Sequence, residues 1–570
     1  MRGSDLFWHV ATGKWMWQHR SMPLADPFSF TRLGQHWVHH EWGADPIYYA
    51  WASLFGMDSL VFWKWAVILG AYLLLMRLLH RLTSSPMASY AAVVFAVAVG
   101  APFIDVRPQL YSLLGVVVVL RLTLVRPRPS WWLPLVFLVW VNVHGGYFFG
   151  LMEITILFSV IALEVRREHG PKDKDGRRRE LRRLLFIWVA CGLACLVNPN
   201  HIHAYVYPLQ WALDRSSPFR QLGEWLPPFQ PGGIQAPLFR YAIAVFVVAS
   251  AVVLALRSQR RRRIVLAGLL LGALTLAMSL TSRRFISIFA ICSSLVIAPA
   301  LAQLVAPLQR WLSERARLQI LPPLLATALG AFWLYPYPLS SQAFLYLTAE
   351  DFFPIETLNF IEVNQISGKV FNYYNWGGYI QLRTGGRLKI FIDGRADTVY
   401  DVSTYLKNLD VLNGDLKSVD IIESSGADFF TWPRDKGHQV TNELLRTGRW
   451  RLLYQDHMSV FLVRQGVQLP ADLKPTPESP WRELTLGMGA LSRGRPTPAA
   501  LAEARGHLAR AIQMKPNLAM ACYMLARVLA LEGAFDAARQ QAKSCYRICP
   551  YPEQMGPFQH MLERLEASRM

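Results

Sequence analysis

The sequence predicts a mainly α-helical polytopic membrane protein with about ten spans, a small soluble α/β domain and a C-terminal α-α repeat segment. Three observations predict it. Long apolar runs recur between residues 58 and 336, in a chain that is 53% hydrophobic but only 17% charged, against about 25% charged in soluble proteins. Short basic clusters sit between those runs. After Pro336 the runs stop, and shorter segments of mixed periodicity take over. The mean hydropathy of +0.22 agrees.

A net charge of +20 raises the question of nucleic acid. Its placement answers against it. Arg166-Arg167, Arg177-Arg178-Arg179 and Arg260 to Arg263 lie between apolar runs, where such clusters face anionic lipid and set topology. The six cysteines show no CxxC or His/Cys spacing, so neither a zinc site nor a disulfide framework is expected. No signal-peptide pattern opens the chain.

A spanning helix needs about 20 apolar residues. Runs of that kind fall near 59–80, 87–104, 109–125, 130–145, 147–165, 184–199, 240–257, 264–281, 285–305 and 318–336. With the N-terminal segment outside, the inner loops collect the positive charge. The 166–183 stretch alone holds nine Lys/Arg, whereas the short outer connections hold only Arg107 and the Arg283-Arg284 pair. Ten spans place 1–57, an extracytoplasmic first loop, and everything after 336 on the same outer side.

Within 337–466, "GKVFNYY" and "LKIFIDGRAD" read as strands around a helical "WGGYIQLRT". "SVDIIESSGADFFTW" reads as a helix end and a strand, and "RWRLLYQDHMSVFLVRQ" as a hairpin. That makes a small extracytoplasmic α/β domain. The Pro-rich 467–480 stretch is a linker. Residues 481–550 read as tetratricopeptide-like repeats, because Leu525, Ala526, Leu529, Gly533, Ala538, Ala542 and Pro550 give the small and apolar positions of one 34-residue unit. Ala504, Leu508, Ala511 and Pro516 repeat part of it. Residues 551–570 form a C-terminal helix or tail.

The polar residues at outer span ends are the candidate site. They are Asp5, His9, Asp26, His39 and Glu41 in the first loop, Arg107 in "FIDVRPQ", His144 in "WVNVHGG", Glu224 in "GEWLPP", and Arg283 and Arg284 in "TSRRF". Ionisable groups at membrane depth are costly and mark sites more often than ordinary surface does. Plainer roles stand beside these: Asp5 as a helix N-cap, His144 as an interhelical hydrogen-bonder, the arginines reaching outer headgroups, Trp376-Gly377-Gly378 as a tight turn.

Taken in order, "SDLFWHVATG", "MPLADPFSFT", "WVHHEW", "RPQ", "WVNVHGG", "NPN", "SRRF" and "NWGGYI…IFIDGRAD" resemble bacterial polytopic proteins of the GT-C glycosyltransferase superfamily, over most of residues 1–465. The resemblance implies sugar transfer from a polyprenyl-phosphate donor on the outer face of a bacterial cytoplasmic membrane. It implies an acidic residue of the first outer loop as base, matched best by Asp5, although no hydrophobic helix precedes Asp5 here. "NYYNWGGYI" is also similar to the stretch by which oligosaccharyltransferases hold an acceptor peptide, with Gly377 where an acidic residue stands in them. Trp376 and Tyr379 would then stack on sugar or lipid.

The expected chemistry is inverting. Asp5 is the expected base that takes the acceptor proton; Glu41 joins it in the catalytic set and, with Asp26 and His39, orients the acceptor or binds a divalent ion, while Arg283, Arg284 and Arg107 hold the departing phosphate as guanidinium forks fit its oxygens. His9, Asp26, His39, His144, Glu224, Trp376 and Tyr379 contact acceptor or sugar. No cofactor is certain, and a divalent cation, Mg or Mn, stays open. The partners are a polyprenyl-phosphate-linked sugar, membrane lipid and a protein docked on the repeats. The competing expectation is a non-catalytic membrane scaffold whose repeats recruit an envelope partner.

Overall fold

The computed structural model describes residues 4–125, 129–168, 174–214, 216–255, 262–307, 352–492 and 496–548, with a few isolated positions elsewhere. The chain divides into two compact units. One is Val38–Ile47 with Ser59–Leu334; the other is Arg2–Trp37, Tyr48–Asp58 and Tyr335–Met570.

The first unit is helical. Its helices are α3 (Leu60–Thr83), α4 (Pro86–Gly100), α5 (Gln109–Leu124), α6 (Leu133–Val143), α7 (Tyr147–Glu168), α8 (Lys174–Ala194), α9 (His203–Leu213), α10 (Phe239–Ala255), α11 (Arg262–Thr281) and α12 (Ile286–Leu304), following α1 (Ser4–His19) and α2 (Ala44–Phe55) in chain order. Among the described residues five helical stretches are long and apolar enough to cross a bilayer: Met57–Thr83, Pro86–Phe103, Tyr147–Arg167, Arg263–Thr281 and Arg283–Leu304. The chain is a multi-pass membrane protein on that count. Helix α12 is the centre of the unit and is buried almost throughout. Lipid-like exposure is found instead on α8 and α10, through Phe186, Leu193 and Val248.

Three other expected spans coincide with shorter apolar helices at Gln109–Leu124, Leu133–Val143 and Phe239–Ala255, and the one at 184–199 falls on the C-terminal half of α8 (Lys174–Ala194) and the turns after it. The expected span at 318–336 lies almost wholly outside the described residues. One difference concerns the basic stretch 166–183. Its second half is not loop but the first three turns of α8, which starts at Lys174. Lys, Arg and Glu are good helix formers, so the helix extends past the apolar segment.

The second unit carries a five-stranded mixed sheet in the order β2-β1-β3-β5-β4, with β1 (Gly368–Asn372), β2 (Leu388–Ile390), β3 (Phe429–Pro433), β4 (Trp450–Gln455) and β5 (Ser459–Arg464). β1 runs parallel to β2 and β3, and β5 is antiparallel to β3 and β4. Helices α13 (Ile355–Val363), α14 (Gly377–Thr384), α15 (Val402–Asn413), α16 (Ser418–Ser424) and α17 (His438–Arg446) complete the domain. The free edge of β2 is taken by residues 28–30, through Phe30 N–H to Ile390 O and Ile390 N–H to Phe28 O. This pairing covers an edge that would otherwise offer unpaired backbone groups.

Four more helices follow: α18 (Pro480–Leu491), α19 (Pro498–Met514), α20 (Ala519–Leu531) and α21 (Phe535–Ile548). Ala526, Ala538 and Ala542 pack together between α20 and α21, so two backbones approach closely. Gly533, at φ +81°, makes the turn between them. Pro550 and Cys549 lie outside the described residues.

Candidate active site

In the first unit, a backbone pairing brings two distant loops together. Arg283 N–H donates to Leu226 O and Arg284 N–H to Glu224 O, while Ser282 Oγ donates to Glu224 O at 3.2 Å. Arg283–Phe285 form a 3-10 turn, in which successive side chains are about 120° apart, and the two arginines separate accordingly. Arg283 is fully buried and donates only to backbone carbonyls, those of Pro227 and Ile234 at 2.9 Å each, with Gly232 and Gln230. It ties down the 227–234 loop. Arg284 points the other way, its Nη1 at 3.3 Å from Glu224 Oε1.

Glu224 also accepts from Arg107, Nη1 to Oε2 at 2.5 Å, and Arg107 Nε lies 3.7 Å from Asp105 Oδ2. Burial alone would raise the Glu224 pKa, but the two guanidinium charges outweigh it and hold the carboxyl below its usual 4.5. Glu224 is thus ionised, and it presents two arginines side by side.

Glu41 enters the same cluster through His144. His144 Nε2 is 3.4 Å from Glu41 Oε1, and His40 Nε2 is 3.8 Å from the same oxygen. The tautomer of His144 follows from its other nitrogen. Nδ1 faces two donors, Gly146 N–H at 3.0 Å and Ser112 Oγ at 2.5 Å; Ser112 in turn accepts from Trp140 Nε1 at 2.8 Å. Nδ1 is therefore an acceptor and Nε2 carries the hydrogen, with Glu41 Oε1 and Arg284 Nη2 each 3.4 Å from it. Gly146 is needed for this approach, since a Cβ there would collide with Ser112 Oγ.

Glu41 is only 12% exposed. Burial pushes its pKa up to about 7, Arg284 and Arg107 pulling it back only in part and Glu224 adding to the rise. A carboxyl balanced near neutrality can accept or give a proton at working pH. His39, by contrast, is buried against Asp45, Nε2 to Oδ2 at 2.8 Å, and its carbonyl accepts from Asn200 Nδ2.

The remaining expected site residues belong to the second unit. Asp5 lies in the first turn of α1, its carboxylate against Gly394. His9 is buried, stacked on Trp8 with ring centroids 3.6 Å apart. Asp26 is buried in an ion network. Its Oδ1 accepts from Arg395 Nη1 at 2.6 Å, and Arg395 Nε lies 2.9 Å from Asp393. The Arg395 charge and hydrogen bonds from Ser29 and Phe28 overcome burial and hold Asp26 below 3.8. Trp376 is 1% exposed, and its Nε1 donates to Phe352 O at 2.6 Å. Tyr379 packs edge-on against Phe7 at 4.7 Å and its hydroxyl accepts from Arg383. Both rings are core contacts of α14 here.

The cluster of the first unit therefore gathers Glu41, Arg107, His144, Glu224 and Arg284. Ser112, Trp140 and Trp225 were not among the expected site residues. Ser112 and Trp140 sit inside apolar helical runs with no local signal, whereas Trp225 stands directly after Glu224 and that adjacency was legible. Among the described residues no three His, Cys, Asp or Glu side chains form a metal set.

The fold is similar to that of an archaeal oligosaccharyltransferase. The apo crystal structure of the Archaeoglobus fulgidus enzyme superposes with a TM-score of 0.51 at 12% identity, covering 76% of this chain and 66% of that one. AglB from Archaeoglobus fulgidus, solved in complex with an inhibitory peptide and a dolichol-phosphate, gives 0.52 at 11% identity, with the same coverage. The chain thus spans 66% of the length of these structures, and at such identity the likeness is one of fold alone. No family model matches the chain, and no curated protein matches it in sequence.

Proposed function

We propose that the chain is a membrane glycosyltransferase of the GT-C type, transferring a sugar from a polyprenyl-phosphate donor to an acceptor on the extracytoplasmic face. One observation carries the reading: two arginines are presented together by an ionised Glu224, beside a Glu41 carboxyl whose pKa is about 7.

In this mechanism Arg107 and Arg284 hold the phosphate of the donor. Planar guanidinium groups match phosphate oxygens better than ammonium groups do. Ionised Glu41, oriented by His144 Nε2–H, takes the proton of the acceptor nucleophile. The nucleophile bonds to the anomeric carbon as the bond from that carbon to the phosphate oxygen breaks. The electron pair stays on the lipid phosphate, whose new charge the arginines stabilise. The proton ends on Glu41, and backside attack inverts the anomeric centre. A lipid phosphate is a good leaving group, so no general acid is assigned.

The AglB structure supports the donor class, in that a protein of this fold binds a dolichol-phosphate. The test is sugar transfer or release by the purified full chain from a panel of polyprenyl-phosphate sugars. Glu41→Gln is expected to abolish turnover while leaving donor binding, and Arg284→Ala to abolish binding. Full activity in both variants would refute the assignment.

A further inference from the structure

Besides Glu224 and His144 Nε2, the latter 3.4 Å from its Nη2, Arg284 meets an aromatic face. Its Cζ sits 4.6 Å over the ring of Trp225. Behind Trp225 lies Trp211, with ring centroids 3.7 Å apart and planes at 37°. On the far face of Trp211 lies Arg220, Cζ to ring 4.1 Å. The result is a four-layer column, Arg284–Trp225–Trp211–Arg220. Arg220 is itself pinned, Nε to Asp214 O at 2.8 Å and Nη2 to Trp211 O at 2.5 Å.

The column solves a problem set by the backbone pairing. Glu224 is the nearest anion to Arg284, because Arg284 N–H is bonded to Glu224 O. A flexible arginine beside a carboxylate tends to close on it with both nitrogens, and its charge is then spent. An indole face holds a guanidinium by its plane without neutralising it, and keeps water off that face. In that plane Nη1 meets Glu224 Oε1 at 3.3 Å and Nη2 lies 3.4 Å from His144 Nε2. Trp211 prevents Trp225 from swinging away, and Arg220 closes the outer end. Phe285, edge-on to Trp225 at 6.3 Å, adds to the seat.

We infer that Trp225 is a positioning residue for the phosphate of the donor: backed by Trp211 and Arg220, it fixes the plane of the Arg284 guanidinium so that a single nitrogen meets Glu224. This rests on the reading of Arg107 and Arg284 as the phosphate site.

The test measures binding of a short-chain polyprenyl phosphate to the purified full chain, in wild type, Trp225→Ala, Trp225→Tyr, Trp211→Ala and Arg284→Ala. Trp225→Ala should weaken binding about three- to thirtyfold, the range of a partly desolvated cation–π contact. Trp225→Tyr should restore most of it, and Trp211→Ala should give a smaller loss. Binding should also change tryptophan emission in the wild type, and that change should vanish in Trp225→Tyr although the ligand still binds. A Trp225→Ala protein with unchanged melting that binds like wild type, while Arg284→Ala does not bind, overturns this inference and leaves the proposed function standing. Should Trp225→Ala fail to fold, the tyrosine and Trp211 variants decide: loss in Trp225→Tyr equal to that in Arg284→Ala overturns it. No binding by the wild type overturns both.

Discussion

Replacing Glu41 by Gln should make the protein more stable at alkaline pH and not less, and the magnitude can be worked from the site. The Glu41 carboxyl goes from 4.5 in the unfolded chain to about 7 in the fold. The folded state binds the proton more tightly, so stability falls as pH rises. The contribution is fully present below pH 4.5, declines through 7, and is lost above. At 1.36 kcal/mol per pKa unit, the wild type gives up roughly 3 kcal/mol across that window. Gln keeps the shape and the contact with His144 but never ionises. The two proteins should therefore melt alike near pH 4.5, and the variant should melt several degrees higher at pH 8. The assay is thermal unfolding of the detergent-solubilised full chain at half-unit pH steps. A variant that melts lower than wild type at pH 8, or a difference that does not change with pH, would refute the placement of a poised carboxyl in a desolvated site.

The neighbouring arginines should behave in opposite ways. Arg283→Met removes the side-chain donor shared by four carbonyls of the 227–234 loop, so it should lower the melting temperature while folded molecules still bind polyprenyl phosphate. Arg284→Met should spare stability and lose binding; ligand titration alongside melting separates the two. In the second unit, Arg395→Met strands Asp26 and Asp393 and should cost about 3–5 kcal/mol, seen as rapid proteolysis of that unit. Because the Asp26 pKa is depressed, its contribution is present above 3.8 and disappears only as pH falls below that value, so acid should mimic the mutation.

Much of the fold was legible, for reasons that are local. Apolar runs give the positions of α3, α4, α7, α11 and α12, and period-two alternation gives β4 and β5. Side-chain direction was less so. Arg283 and Arg284 are neighbours of identical chemistry, and only the pairing of 282–284 with 224–226 decides which one turns into the protein. Asp393 and Arg395 form a local ion pair, but Arg395 also reaches Asp26, 369 residues away, which no local pattern encodes. Trp376 and Tyr379 were expected to stack on sugar or lipid, yet helix α14 packs both against protein. Glu41 was read among several loop acids, and its distinction comes from burial, which a sequence does not print.

The most direct measurement is the pH dependence of polyprenyl phosphate release from a labelled polyprenyl-phosphate sugar by the purified full chain. The proposed mechanism predicts a rate that rises through a single acid limb near pH 7 and reaches a plateau, with the rate lost at every pH in Glu41→Gln. Release that is absent in the wild type, or an acid limb unchanged when Glu41 is replaced, would contradict it.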